Sequence, residues 1–456
     1  MPKTLGDLAT TIVKKLVQKG HKAYFAGGCV RDLLMGQESA DIDIATSAKP
    51  DEILNLFSKT FEKGKAFGVV SVLLEGHEFE VATFRKEGKY SDGRHPDSVS
   101  WTDDKQDALR RDFTMNGMFY DPLTQKIIDY VSGQEDLKKK IIRTIGVPQH
   151  RFDEDKLRMM RAVRFSARFG YPMDTGTQEA ILKMAPHITE VSPERIREEL
   201  LKILTQSHPH HGIDLLSQLG LLKIILPEIE MMKGVEQPPQ FHPEGDVYIH
   251  TLLVLEHLKN PNPELAMGAL LHDVGKPPTF SIKERIRFDG HVEVGAQMAQ
   301  KICRRLRFSN KQTEHICKLI LDHLKFMHVK QMRKSTLKRF LSQERFQDHL
   351  DLHKADCLGC HGLLENYEFC KSKLEELKKE PIPKKPLVSG NDLIRLGFKP
   401  GPIFKKILTD IETARLEGEI QTKSEGLKFV KHKFSSLIQK KSSQHHHKKK
   451  RPRKKK

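Results

Sequence analysis

Two carboxylates one residue apart, Asp41 and Asp43, follow a glycine pair within the stretch FAGGCVRDLLMGQESADIDIAT, Phe25 to Thr46. On a strand, side chains alternate, so both acids share one face while Ile42 and Ile44 take the other. Acids this close repel. A divalent cation between them keeps both ionised at neutral pH, and one or two hard oxygen ligands suit magnesium bridging to phosphates. Gly27-Gly28 ends an apolar run, and Arg31-Asp32 opens a short helix that Gly36 closes. The backbone can approach an anion closely at such a turn, and a helix start offers free N–H groups to phosphate oxygens. Either motif alone is equally a surface hairpin with solvated acids. The order strand, glycine turn, helix, acid pair is what points to a nucleotide.

Three further groups could do chemistry. In DALRRDFTMNGMFYDP (Asp107 to Pro122), Arg110, Arg111, Asp112 and Asn116 cluster at an expected helix start, where arginine can meet a triphosphate bidentately and asparagine can read a sugar or base edge. In RFDEDKLRMMRAVRFSARFGY (Arg151 to Tyr171), Arg158, Arg161, Arg164 and Arg168 recur every three or four residues and so line one helix face. An ordinary salt-bridged helix has the same pattern, but four stacked cations favour an anion lying against them. Later come His250, the adjacent pair His272-Asp273 in LLHDVGKP, His291, His323 and Asp356. A single such histidine is more often a satisfied core residue; the adjacent pair with spaced partners is not.

The elements that must position these groups follow from pattern. A helix from Thr4 to Lys19 has Leu5, Leu8, Ile12 and Leu16 on one face, ended by Gly20, and should pack on a sheet. Lys49-Pro50-Asp51 starts a helix to Phe57. Val69–Leu74 and Glu78–Phe84 read as strands joined at Gly76-His77, and the segment from Tyr90 to Trp101 as a loop or flap. Leu157, Met160, Val163 and Phe165 form the buried side of the arginine helix. Beyond about residue 364, charged amphipathic helices, a proline-rich linker (Pro381 to Pro386) and a helix from Phe404 to Leu416 follow, with Ser389 or Asn391 as a cap.

The pattern G-G-x-V-R-D-x-L-x-G followed by D-x-D resembles the nucleotidyltransferase branch that holds bacterial tRNA CCA-adding enzymes and poly(A) polymerases. That resemblance implies transfer of nucleotides from CTP and ATP to an RNA 3′-hydroxyl, with Asp41 and Asp43 as the catalytic, magnesium-binding acids. It also implies nucleotide contacts from Gly28, Arg31, Arg111, Asp112 and Asn116. Glu154-Asp155-x-x-Arg158-x-x-Arg161-x-x-Arg164-Phe165 matches the family's base-selecting motif. Asp155 and Arg158 would then hydrogen-bond the base edge, Arg161 and Arg164 would hold phosphate, and the segment Pro193 to Glu199 would buttress the helix through ion pairs. Asp129 to Leu137 resembles the family's flexible turn. The pattern from Ser389 to Pro402 resembles its tRNA-binding tail, with helix-turn-helix DNA binding as the alternative. The His-Asp pair resembles the HD phosphohydrolase superfamily, which implies a metal site of His250, His272, Asp273, His291 and Asp356, and Lys276 near phosphate. Imidazole with carboxylate suits nickel, manganese, iron, cobalt or zinc.

The expected architecture is α+β: a nucleotidyltransferase head with a mixed sheet and helices (1–149), an all-α neck (150–240), an HD domain (241–364), a helical tRNA-binding tail (365–440) and a polybasic end (441–456). Net charge is +18, and the last stretch from Lys440 holds ten Lys or Arg and no acid, so both it and the rest are basic. That favours a polyanionic partner, here tRNA, with salt-dependent binding. No signal peptide and no apolar run of about 18 residues is evident, which excludes a spanning helix and suggests the cytoplasm. Six scattered cysteines argue for reduced thiols. Cys357-Leu-Gly-Cys360-His361 has the spacing of a haem attachment motif, but without an export signal it reads as ordinary helix, with zinc binding alongside Cys370 as the lesser option. Alternatives remain: a poly(A) polymerase, an A-only or CC-only adding enzyme, or a phosphohydrolase with an RNA-binding head.

Overall fold

Alternating apolar and polar residues make the head's sheet, and the structure, a computed structural model, describes it within residues 3–64, 67–88, 98–240, 242–379 and 385–437. The sheet contains β1 (Ala23–Ala26), β2 (Asp43–Thr46), β3 (Thr60–Gly64), β4 (Val69–Leu74) and β5 (His77–Thr83). A small hairpin, β6 (Arg85–Glu87) with β7 (Val99–Trp101), follows, and β8 (Phe119–Asp121) and β9 (Lys126–Ile128) complete the sheet in the order β3-β4-β5-β2-β1-β8-β9. Only β2 and β5 run parallel; the other pairs are antiparallel. In β5, Phe79, Val81 and Thr83 are buried while Glu78 and Glu80 stay exposed, the period of two that a half-buried strand requires.

One face of the sheet is covered by the helix Leu5–Gln18, which Thr4 and Asp7 cap reciprocally and which buries Leu8, Ile12 and Leu16. On the other face Phe84, Phe119, Ala26, Ala45 and Ala108 form a second, smaller core. Two local expectations are corrected. The helix after the glycine turn spans Gly28–Leu34, so Arg31 lies inside it rather than at its start. Arg110 to Asn116 do not open a helix: Arg110 closes Asp104–Leu109, and Thr114–Asn116 is a single tight turn. The segment 90–97, residues 381–384 of the linker and the polybasic end lie outside the described residues; Val99–Trp101 of the expected flap is strand.

Residues 1–324 with 351–363 form one compact unit, and 325–350 with the residues from 364 on form another. Within the first, one apolar core runs from Phe113 through the helices Leu157–Phe169, Pro193–Leu204, Val247–His257 and Pro263–Leu271 to His291–Arg305 and Asn310–Asp322. Inside that core the Arg164 guanidinium meets the Glu199 carboxylate, which is 2% exposed. Glu199→Leu strands a buried cation and is expected to cost roughly 3 kcal/mol; an unmoved urea midpoint would contradict a stabilising pair. The second unit has its own cores, around Phe326, Phe340 and Tyr367, and around Val388, Leu393, Ile407 and Val430. There Ser389, not Asn391, caps the helix Gly390–Arg395. Among the described residues no helix is long and apolar enough to cross a membrane.

Candidate active sites

The register of β1 on β2 sets Ala26 opposite Asp43, so the glycine turn lies directly against the acid. Gly27 adopts φ +75°, and a Cβ there would come within 3.3 Å of Arg111 Nη1 and 3.9 Å of Asp43 Oδ2. Only glycine fits without strain. The parallel register Ile44↔Val81, taken one residue back, sets Glu80 of β5 beside Asp43. Asp41 stands exposed, two residues before β2 rather than on it. Asp43 feels it nonetheless: loss of water around the carboxylate, then the charges of Asp41 and Glu80, push its pKa up to about 6 against the pull of Arg111. Glu80 went unread in the sequence, where an acid on the polar face of a strand carries no distinguishing mark.

That crowding fits a cation and has a pH consequence. The folded chain holds the Asp43 proton to higher pH than an unfolded aspartate, which titrates near ~4, so ion-free protein loses stability as pH rises from about 4 to 6. Above about 6 the Asp43 carboxylate is ionised, as cation binding there would require. Apparent magnesium affinity is therefore expected to fall about tenfold per pH unit below that point, read by magnesium titration of activity at several pH values. A flat affinity from pH 5 to 8 would contradict it.

A cleft of about 850 Å³ opens over Asp43, and Gly28, Arg31, Arg111, Asp112, Asn116, Asp155, Arg158, Arg161 and Arg164 line it together with Glu80 and Arg195. Its floor is a chain of hydrogen bonds. Arg31 donates to Asp32 (2.9 Å) and Asn116 (2.8 Å), Asn116 donates to Asp112 (3.3 Å), and Arg161 donates to Asp112 (2.8 Å). Burial opposes the charge on Asp112, but Arg161 holds its pKa near about 2. The Arg31 guanidinium also lies 4.9 Å over the Phe169 ring.

The arginine stripe is not a row of bare cations. Arg158 donates to Glu154, Arg161 to Asp112 and Arg164 to Glu199, so Arg161 and Arg164 reach phosphate only by sharing or exchanging those partners. Acids from other segments, invisible to a helical-period reading, balance the face. Asp155 likewise pairs with Arg195 at 2.7 Å rather than with Arg158, although both line the cleft. The expected buttress is present in those pairs of Arg195 and Glu199.

A second cluster lies in the same unit. His250 sits on the helix Val247–His257, His272-Asp273 ends Pro263–Leu271, His291 starts His291–Arg305, His323 follows Asn310–Asp322, and Asp356 lies on Phe346–Leu358. Gly275 holds these elements together, since a Cβ there would stand 2.1 Å from the His291 carbonyl oxygen. His250 Nε2 is 3.1 Å from Asp356 and 3.3 Å from His272 Nε2, and His272 Nε2 is 3.2 Å from Asp273 Oδ2. Across Asp273, its Oδ1 is 3.6 Å from His291 Nε2 and 3.8 Å from His323 Nε2. His272, His291 and His323 each donate Nδ1–H to a backbone carbonyl, of Ala269, Phe288 and Ile320, which turns every Nε2 lone pair inward.

This donor set fits cations. Buried Asp273 Oδ1 and His291 Nε2 have no hydrogen-bond partner, and the Nε2 atoms of His250 and His272 converge at 3.3 Å, where a cation or a shared proton joins them. Burial works against the Asp273 charge, but Lys276, 2.7 Å away, and His272 hold the carboxyl well below its ordinary range. Burial pushes His323 down to about 4, neutral and ready to donate a lone pair. Glu244, 2.9 Å from His250 Nδ1, and His242 beside it were not anticipated. The thiols of Cys357 and Cys360 are unpaired and pushed up to about 12 by burial, and they form no metal-ligand group among the described residues.

Residues 23–143 match the family model of the poly A polymerase head domain, 170–232 that of a probable RNA and SrmB-binding site of polymerase A, and 247–354 that of the HD domain. Nucleotidyltransferase heads and HD domains generally use divalent metals. Among relatives, the CCA-adding enzyme of Geobacillus sp. (strain WCH70) is 34% identical over 91% of this chain and 94% of its own length. That of Anoxybacillus flavithermus (strain DSM 21510 / WK1) is 32% identical over 92% and 95%. A solved structure of the Bacillus stearothermophilus CCA-adding enzyme in complex with CTP superposes with a TM-score of 0.75 at 27% identity, covering 95% of this chain and 99% of that one.

Proposed function

We infer function from the premise that the chain belongs to the family of CCA-adding enzymes: it adds or restores the 3′-terminal CCA of tRNA from CTP and ATP without a nucleic acid template. The observation that carries this reading is that Asp155 and Arg158 line the same cleft as Asp43. A guanidinium donates and a carboxylate accepts, so the protein presents a base-like edge to the incoming nucleotide in place of a template strand. The work of the chain's own residues is positioning. Gly27 lets the triphosphate approach, Arg111 balances its charge, and Asp41, Asp43 and Glu80 would hold magnesium. Magnesium, when bound, polarises the 3′-hydroxyl and neutralises the triphosphate. The cytoplasm is the compartment that this substrate implies.

A tRNA transcript ending before CCA, incubated with labelled CTP or ATP and magnesium, tests the reading. Incorporation of both labels supports it. Incorporation of ATP alone points to the sister poly(A) or A-adding activity, and none, with phosphate release retained, to a phosphohydrolase.

The inward-turned histidines favour a second activity, phosphoester hydrolysis. His250, His272, Asp273 and Asp356 would hold one transition-metal ion, with His291, His323 and the other oxygen of Asp273 holding a second. Such ions activate a water molecule as nucleophile. Lys276, 2.7 Å from Asp273, would balance phosphate charge.

A further inference from the structure

Between Lys276 and His291 the chain makes a hairpin, β10 (Ser281–Ile282) with β11 (Ile286–Arg287), that neither the transferase nor the metal cluster uses. Both of its ends are tied to the cluster. Before it, Lys276 bonds Asp273; after it, the Phe288 carbonyl accepts from His291 Nδ1 at 2.8 Å. Phe280 and Phe288 stand 5.9 Å apart at its base, the Phe288 ring 6.4 Å from that of His291 and 5.4 Å under Lys276 Nζ. Large apolar groups are nevertheless left to solvent: Phe280 is 39% and Ile282 72% exposed. Lys283 and Arg285 are exposed beside them, and the Arg287 Nε has no hydrogen-bond partner. Asp289 engages Lys283 and Arg287 only loosely, at 3.7 and 4.0 Å.

Aromatic rings with interleaved cations are the surface that single-stranded nucleic acid selects, through base stacking and phosphate contact. We propose that this hairpin is a strand-binding platform that presents the 3′-terminal phosphate of an RNA to the HD cluster. The last base stacks on Phe280, and the phosphates upstream of it meet Lys283 and Arg285. This rests on the phosphohydrolase reading of that cluster. Water attacks the phosphorus, the bond to the ribose 3′ oxygen breaks, that oxygen takes a proton, and inorganic phosphate leaves. A small diffusible phosphoester needs none of the platform, so the strand is the preferred substrate.

Two readouts test it on the full chain. A short RNA with 4-thiouridine as its 3′-terminal nucleotide and a 3′-phosphate is photocrosslinked to metal-chelated protein; the crosslinked peptide is expected to fall within residues 280–288 and to disappear in K283E/R285E. Separately, with manganese, the ratio of kcat/KM for 3′-phosphorylated RNA to that for 3′-CMP is expected to fall about tenfold in F280A/K283E, with melting curves verifying the fold of these surface variants. Crosslinks only to other segments, or an unchanged ratio, would overturn the platform. Crosslinking at the hairpin with no phosphate released from either substrate would support the platform and sink the phosphohydrolase reading instead.

Discussion

Asp43→Ala is expected to lower CCA addition by on the order of a thousandfold or more while leaving phosphoester hydrolysis measurable. The carboxylate begins β2 against the glycine turn, between Asp41 and Glu80, at the centre of the acid cluster that would hold the cation. Removing a ligand of a cation that stabilises transition-state charge forfeits several kcal/mol, and every ~1.4 kcal/mol is a factor of ten. Asp41→Ala should act in the same direction and less steeply, because Asp41 lies two residues before the strand that fixes Asp43. The reciprocal variant, His272→Ala with Asp273→Ala, removes the shared centre of the HD cluster and should abolish hydrolysis while sparing addition. Loss of both activities in either variant would mean that the two sites do not work separately.

The second large effect concerns which nucleotide is accepted. Arg158→Ala removes the donor edge from the cleft, and Asp155→Ala the acceptor edge. Each is expected to reduce discrimination of CTP and ATP against UTP and GTP by about a hundredfold, since a bidentate base contact is worth ~1–3 kcal/mol. Arg195→Ala should give a weaker version of the Asp155 phenotype, because its 2.7 Å pair orients that carboxylate. Steady-state kinetics with each nucleotide separate the two ways of failing: a general fall in kcat with unchanged ratios would assign Asp155 and Arg158 to holding the fold, not to reading the base.

Much of the site was legible because it is local. Gly27-Gly28, Asp43 and the arginine helix each keep their geometry within one turn, strand or helix, and His272-Asp273 is adjacent in the chain. What escaped was supplied from a distance. Glu80 reaches Asp43 through a parallel strand pair, Glu199 reaches Arg164 across two helices, and Glu244 reaches His250 from the segment before its helix. These partners turn a face that reads as bare cations into a balanced network, and no periodicity within one element records them. The first helix start lies a few residues before Arg31, at Gly28, and Arg110 ends a helix where a start is expected, because the hydrophobic pattern at both places is too short to fix a boundary.

The most direct test is to sequence the 3′ ends made from a tRNA transcript lacking CCA when the protein is given all four nucleoside triphosphates, magnesium and no other nucleic acid. C, C, A and then arrest are expected, with U and G absent. Ends extended by long A tracts, or carrying all four bases, would contradict a pocket in which Asp155 and Arg158 do the template's work.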